Sequence, residues 1–142
     1  MINRFSQWAI LACLLTGLVG CQGNSDGYIP VGGTVKFSDG SCAQFGTIEC
    51  RSESDNPIIG RGRIQRDGTF KLKSLGGKNG LVRGKHKVVI MQVVTTPKDN
   101  PDFVHHHGLE VVDKYRSYET TDLTIEVKPG EDNQFELLVE NK

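Results

Sequence analysis

Arg61-Gly62-Arg63-Ile64-Gln65-Arg66-Asp67-Gly68-Thr69-Phe70-Lys71-Leu72-Lys73 decides how the chain is read. Arg61, Arg63 and Gln65 alternate with Gly62 and Ile64; beyond Asp67-Gly68, Phe70 and Leu72 alternate with Lys71 and Lys73. Alternation with period two marks half-buried strands. An Asp-Gly pair between two such runs is a strong hairpin signal, because both residues accept the positive φ of a type I′ turn. The expectation is a β-hairpin turning at Asp67-Gly68.

The same period extends to both sides. Upstream, Val31, Gly33, Val35 and Phe37 fall on one face, with Gly32, Thr34 and Lys36 on the other, and Asp39-Gly40 ends the run. A second strand is expected from about Phe45 to Ser52, with Ile48 and Cys50 inward and Thr47, Glu49 and Arg51 outward. Downstream, Gly76-Gly77 and Asn79-Gly80 form a loop leading into a long strand from about Lys85 to Val94, with Val88 and Ile90 inward. A polar connection from Thr95 to Gly108 follows, holding Pro97, Pro101 and the run His105-His106-His107. Two strands close the chain: Leu123, Ile125 and Val127, then Pro129-Gly130 as a turn, then Phe135, Leu137 and Val139. Past the first twenty residues no segment carries a helical period, so the expectation is a single all-β domain.

Those first twenty residues read differently. A basic start at Arg4, an apolar run from Trp8 to Val19 and small residues before a cut are the three parts of an export signal. The run is shorter than the ~20 apolar residues that a spanning helix needs. Leu18-Val19-Gly20-Cys21 resembles the bacterial lipobox at all four positions. That resemblance implies cleavage before Cys21, a diacylglyceryl group on its sulfur and a further acyl chain on its freed amine. A single acyl chain binds a membrane only marginally, whereas two or more anchor stably. Gln22, where Asp would signal inner-membrane retention, implies the outer membrane in a host with two. The expected organisation is a signal peptide over residues 1–20, a polar tether over 21–30 and the domain over 31–142.

Without residues 1–20 the chain carries sixteen Lys and Arg against seventeen acidic residues. A balance so near zero, together with export, argues against a nucleic-acid partner. The charges are unevenly placed. Gly60 to Lys87 holds nine basic residues and one acidic, whereas Asp99 onward holds eleven acidic and four basic. Two readings follow: a basic sheet face for anionic headgroups or acidic wall polymer, or internal complementarity between basic and acidic strands. Of the four cysteines, Cys13 leaves with the signal and Cys21 takes lipid. Cys42 and Cys50 then remain in a compartment that permits disulfides. They form either a clasp across the loop between the first two strands or, at Cys50, a small buried apolar residue. Neither belongs to a C-x-x-C redox pair.

Gly33-Thr34-Val35, Asp67-Gly68-Thr69-Phe70, Gly84-Lys85-His86-Lys87-Val88, Lys114-Tyr115 and the run Leu123 to Gly130 follow in an order similar to that of the carboxypeptidase regulatory-like, or transthyretin-like, domains. The resemblance is greatest to small bacterial lipoproteins built of a lipobox and one such domain. It implies a Greek-key β-sandwich of seven or eight strands, of the prealbumin type. It implies little about activity, because one fold hosts many functions. Cys42, Cys50 and the three histidines depart from the family pattern.

The histidines are the candidate metal site. On an extended backbone His105 and His107 point the same way and His106 the other, and neutral imidazole suits zinc, copper or nickel. A third ligand would come from Asp102, Glu110 or His86; the plainer reading is a solvated loop tip. No nucleophile elbow, P-loop, dinucleotide fingerprint or metalloprotease motif occurs. Tyr115 and Tyr118 are expected to cap the sandwich rather than stack on a ligand. The expected function is a non-catalytic structural or binding role at a membrane, without a cofactor, its partner an envelope protein or polymer. The alternatives are a metal-binding domain using His105 and His107, or a small-ligand carrier that would be a dimer or tetramer.

Overall fold

The computed structural model describes residues 27–92 and 108–142. Its ten strands are β1 (Tyr28–Ile29), β2 (Gly32–Phe37), β3 (Thr47–Ser52), β4 (Ile59–Arg63), β5 (Thr69–Lys71), β6 (Lys73–Ser74), β7 (Leu81–Val82), β8 (Gly84–Met91), β9 (Thr124–Val127) and β10 (Gln134–Val139). The one helical segment among the described residues is a 3₁₀ turn at Asp113–Arg116. The strands form three sheets, ordered β10-β2-β5, β6-β4-β3-β8-β9 and β1-β7. All pairs are antiparallel except β10 with β2, which run parallel.

Alternation explains the core. Val35 and Phe37 of β2, Phe70 of β5 and Leu137 and Val139 of β10 turn to one buried cluster; Ile48 and Cys50 of β3, Val88 and Ile90 of β8 and Ile125 and Val127 of β9 reach the same cluster from the larger sheet. Two sheets sharing one core is an arrangement consistent with a β-sandwich. Val31, Ile64, Leu72, Leu81 and Tyr115 belong to the same cluster.

The Asp67-Gly68 turn forms, but in another geometry. Gly68 N donates to Gln65 O at 3.0 Å and Gln65 N to Thr69 O at 2.8 Å. Gly68 has φ +79°, while Asp67 keeps a negative φ. This is a three-residue loop, a tight turn followed by a left-handed residue, and not the two-residue type I′ turn. Asp67 contributes through its side chain instead, with Oδ1 accepting from Thr69 N at 3.0 Å and Thr69 Oγ1 at 2.7 Å.

The arm beyond the turn divides between sheets. Thr69–Lys71 pairs with β2, whereas Lys73–Ser74 pairs with β4. Leu72, 1% exposed, sits at the crossing. The last two predicted strands are present, yet Pro129-Gly130 does not fold them onto each other: β9 joins β8, and β10 crosses to lie along β2. Asn133 closes that crossing, its Nδ2 donating to the carbonyls of Lys128 and Glu131 and its Oδ1 accepting from Lys128 N, each at 2.9 Å. β3 begins at Thr47 rather than Phe45, because Phe45 (φ +58°) and Gly46 (φ +122°) both lie in left-handed backbone before it.

Cys42 and Cys50 are both free in this structure, with no bond between them. Cys50 sits in mid-strand between Gly60 and Val88, fully buried on the core side of β3. Cys42 belongs to the other sheet's rim, bridging Lys36 and lying against Gly68. Alternation turns the Cys50 side chain into the core, where it packs as a small apolar group.

Candidate functional site

The outward side chains of the larger sheet meet at Glu49. Register sets Glu49 opposite Arg61 on β4 and Val89 on β8. Arg61 Nε donates to Glu49 Oε2 at 2.8 Å, and the Tyr118 hydroxyl donates to Oε1 at 3.0 Å. The segment after the 3₁₀ turn is therefore laid over this face. It is held also by Lys87 Nζ donating to Tyr118 O at 3.0 Å, Thr121 Oγ1 donating to Val88 O at 2.7 Å, and the Arg51 guanidinium 4.1 Å above the Tyr118 ring. Glu49 is 9% exposed although its parity points outward. Burial first, and then the Glu49 carboxylate, push the Tyr118 hydroxyl above the ordinary range. Both oxygens of this carboxylate are thus taken by partners that tie the Tyr118 segment to the sheet.

Tyr115, the other tyrosine expected at the cap, is 3% exposed within the core cluster, with Lys114 Nζ 4.8 Å from its ring centre. Lys114 also binds Glu140 at 2.6 Å and Asp122 at 3.1 Å.

The basic run divides into two groups. Arg61 is neutralised by Glu49, and Lys36, outside the run on β2, by Glu136 of β10 at 2.5 Å, as complementarity between strands predicts. Arg63, Arg66, Lys71, Lys73, Arg83, Lys85 and Lys87 enter no ion pair among the described residues. Two of these, Arg63 and Lys71, line a groove of about 490 Å³ where β5 leaves its sheet beside β4. Gln65, Thr69, Thr34 and Gln134 supply the rest of its polar lining. A smaller hollow of about 390 Å³ lies at the Ser52–Pro57 loop, where Arg51 and Lys87 face Glu53 and Asp55, so its charges offset one another.

The groove owes its form to one close approach. A Cβ placed on Gly62 would stand 2.3 Å from the Lys71 carbonyl oxygen. Glycine lets β4 and β5 come together there and brings Arg63 beside Lys71.

Cys21, Asp102, His105, His106 and His107 lie outside the described residues. The two described candidates for a third metal ligand are not brought together. His86 pairs with Ser52 and Ile125 near the Gly84 end of β8. Glu110 lies beside Val111, whose N–H donates to Gln92 beyond the other end of the strand, roughly 20 Å away along it. Glu110 is bound to Lys142 at 3.2 Å. Among the described residues no three His, Cys, Asp or Glu side chains could hold a metal ion. His86 is fully buried; its Nδ1 lies 3.0 Å from Gly84 O, and its Nε2 has no hydrogen-bond partner among the described residues. Burial pushes the imidazole below its ordinary range, with the Gly84 carbonyl and the Glu53 charge opposing.

Comparison with known proteins finds no matching family model, no matching curated protein and no matching solved structure.

Proposed function

We propose that this chain is a lipoprotein of a bacterial cell envelope, anchored through Cys21, whose domain is a Greek-key, transthyretin-like sandwich acting as a non-catalytic binding module. The observation that carries the reading is the unequal pairing of the basic residues. Arg61 and Lys36 are matched by carboxylates on neighbouring strands, whereas Arg63 and Lys71 stand unmatched on the wall of a groove. Charges present only to hold strands together would be matched throughout.

The strand order supports the finer fold assignment. Connections cross between the larger sheets after β2, β4, β5 and β9, and the first long strand ends up beside the last. The placement of β1 supports the anchored arrangement. Tyr28 is already paired to Val82 seven residues after Cys21, so the intervening chain, fully extended, spans at most about 25 Å. A lipidated Cys21 would hold the domain close to the membrane and to whatever polymer coats it.

The test is expression of the full chain in a bacterial host with two membranes, as wild type and as Cys21→Ala. The expected wild-type product sediments with outer membranes and has a mass greater than the cleaved polypeptide by the acyl groups. Cys21→Ala should lose both properties. A soluble, unacylated wild-type product would overturn the anchored reading. Crosslinking on intact cells then identifies what the anchored domain touches.

A further inference from the structure

We infer that the groove between β4 and β5 is a binding site for an acidic polysaccharide, a strand of sugar rings bearing carboxylates. The inference names a ligand class for the binding role proposed above and rests on that reading.

Three properties of the groove select this class. Its charge is of one sign, because Arg63 and Lys71 are its only ionisable lining residues and neither enters an ion pair among the described residues. An anion is the complement, and a guanidinium fork beside an ammonium suits carboxylates. The remaining polar lining, Thr34, Gln65, Thr69 and Gln134, consists of hydroxyls and amides that both donate and accept. Groups of that kind match the hydroxyls of a sugar ring, which also do both.

The third property argues against an acidic peptide. Peptides are held on sheets by an open strand edge and by pockets for alternate side chains. Here the β5 edge is covered by β4, whose Gly62 approaches the Lys71 carbonyl too closely to admit even a methyl group. Phe70, the one large apolar lining residue, is 3% exposed and leaves no apolar pocket. A neutral glycan is disfavoured for the complementary reason: no exposed aromatic ring lines the groove for it to stack on, so binding has to draw on charge.

The site continues across strands rather than along one. Gln134 belongs to β10, Thr34 to β2, Thr69 and Lys71 to β5, and Arg63 to β4. With neighbouring strands ~4.8 Å apart, the lining spans roughly 15 Å, the length of a few sugar rings.

The experiment uses the purified full chain in detergent micelles, with polygalacturonate as probe, dextran as the neutral glycan and polyglutamate as the acidic peptide. Binding to polygalacturonate should weaken as salt rises. It should fall at least tenfold in Arg63→Gln/Lys71→Gln and persist in Arg63→Lys/Lys71→Arg. Lys85→Gln/Lys128→Gln, which removes the same charge elsewhere on the surface, should bind as wild type. Equal losses in the two neutralised variants, or no polygalacturonate binding at all, would overturn the inference. Polyglutamate binding as tight as polygalacturonate would overturn the ligand class. Acylation of Cys21 is read separately by mass, so failure of the glycan site and failure of the anchored reading are distinguishable.

Discussion

Tyr118 and Glu49, 69 residues apart in the chain, meet in a hydrogen bond of 3.0 Å that closes a loop over the outward face of a sheet. Arg61 holds the other oxygen of the same carboxylate, so Glu49 is buried yet matched on both sides. Removing either partner has a different cost. Tyr118→Phe deletes one hydrogen bond and should lower stability by about 1 kcal/mol.

Arg61→Ala should be the more damaging change. It leaves a nearly buried carboxylate with a single hydroxyl donor, and the expected loss is about 2 to 3 kcal/mol. Urea unfolding monitored by circular dichroism gives both values. Equal losses for the two variants would show that the guanidinium adds nothing beyond the phenol.

His86 is expected to make the fold acid-sensitive. Its folded pKa is depressed, chiefly by burial, so the folded protein keeps the ring neutral at a pH where the unfolded chain, titrating near ~6.5, takes up a proton. The associated stability is complete above that unfolded value. It is lost progressively as pH falls below, by up to about 1.4 kcal/mol per pH unit for one proton. His86→Leu should flatten the dependence between pH 6.5 and 5, measured as denaturant midpoints across that window. An unchanged slope would assign the sensitivity to other groups.

Much of the architecture was legible because alternation is a local property. β2, β9 and β10 lie where period two put them, β3 starts two residues late at Thr47, and β8 is described from Gly84 to Met91, the expected end at Val94 lying outside the described residues. The inward residues Val35, Phe37, Ile48, Val88, Ile90, Ile125, Val127, Leu137 and Val139 are buried. Partner choice is not local. Nothing in Gln134–Val139 encodes a parallel neighbour one hundred residues upstream, and nothing in Thr69–Ser74 marks the change of sheet at Leu72. The buried state of Glu49 escaped for the same reason, since its parity is outward and only the distant Tyr118 segment covers it. The groove was half legible. Arg63 and Lys71 stood within the basic run, but only strand register separates them from Arg61, which has Glu49 opposite it.

The two thiols should differ sharply in reactivity. Cys50 is fully buried, and burial raises its thiol far above the ordinary range; Cys42 is partly exposed. Alkylation of the native protein followed by peptide mapping should label Cys42 readily. Cys50 should react only through unfolding, slower by a factor on the order of 10³ or more. A Cys42-Cys50 crosslinked peptide from unreduced protein would contradict the free pair.

Gly68→Ala tests the turn from which the fold was read. Two costs combine there. At φ +79° a side chain is strained by about 1 kcal/mol. The added Cβ would also stand 2.8 Å from the Cys42 Cβ and 2.9 Å from the Val35 carbonyl oxygen, which β2 and its neighbours hold in place. A loss of about 2 to 3 kcal/mol is expected in urea unfolding. Asp67→Ala removes only the carboxylate that accepts from Thr69 and should cost about 1 kcal/mol, because Asp67 itself keeps an ordinary φ. Were the turn of type I′, with positive φ at both residues, Asp67→Ala would carry its own backbone strain and the two losses would converge. A clear gap between them, with Gly68 the larger, is the signature of the three-residue loop.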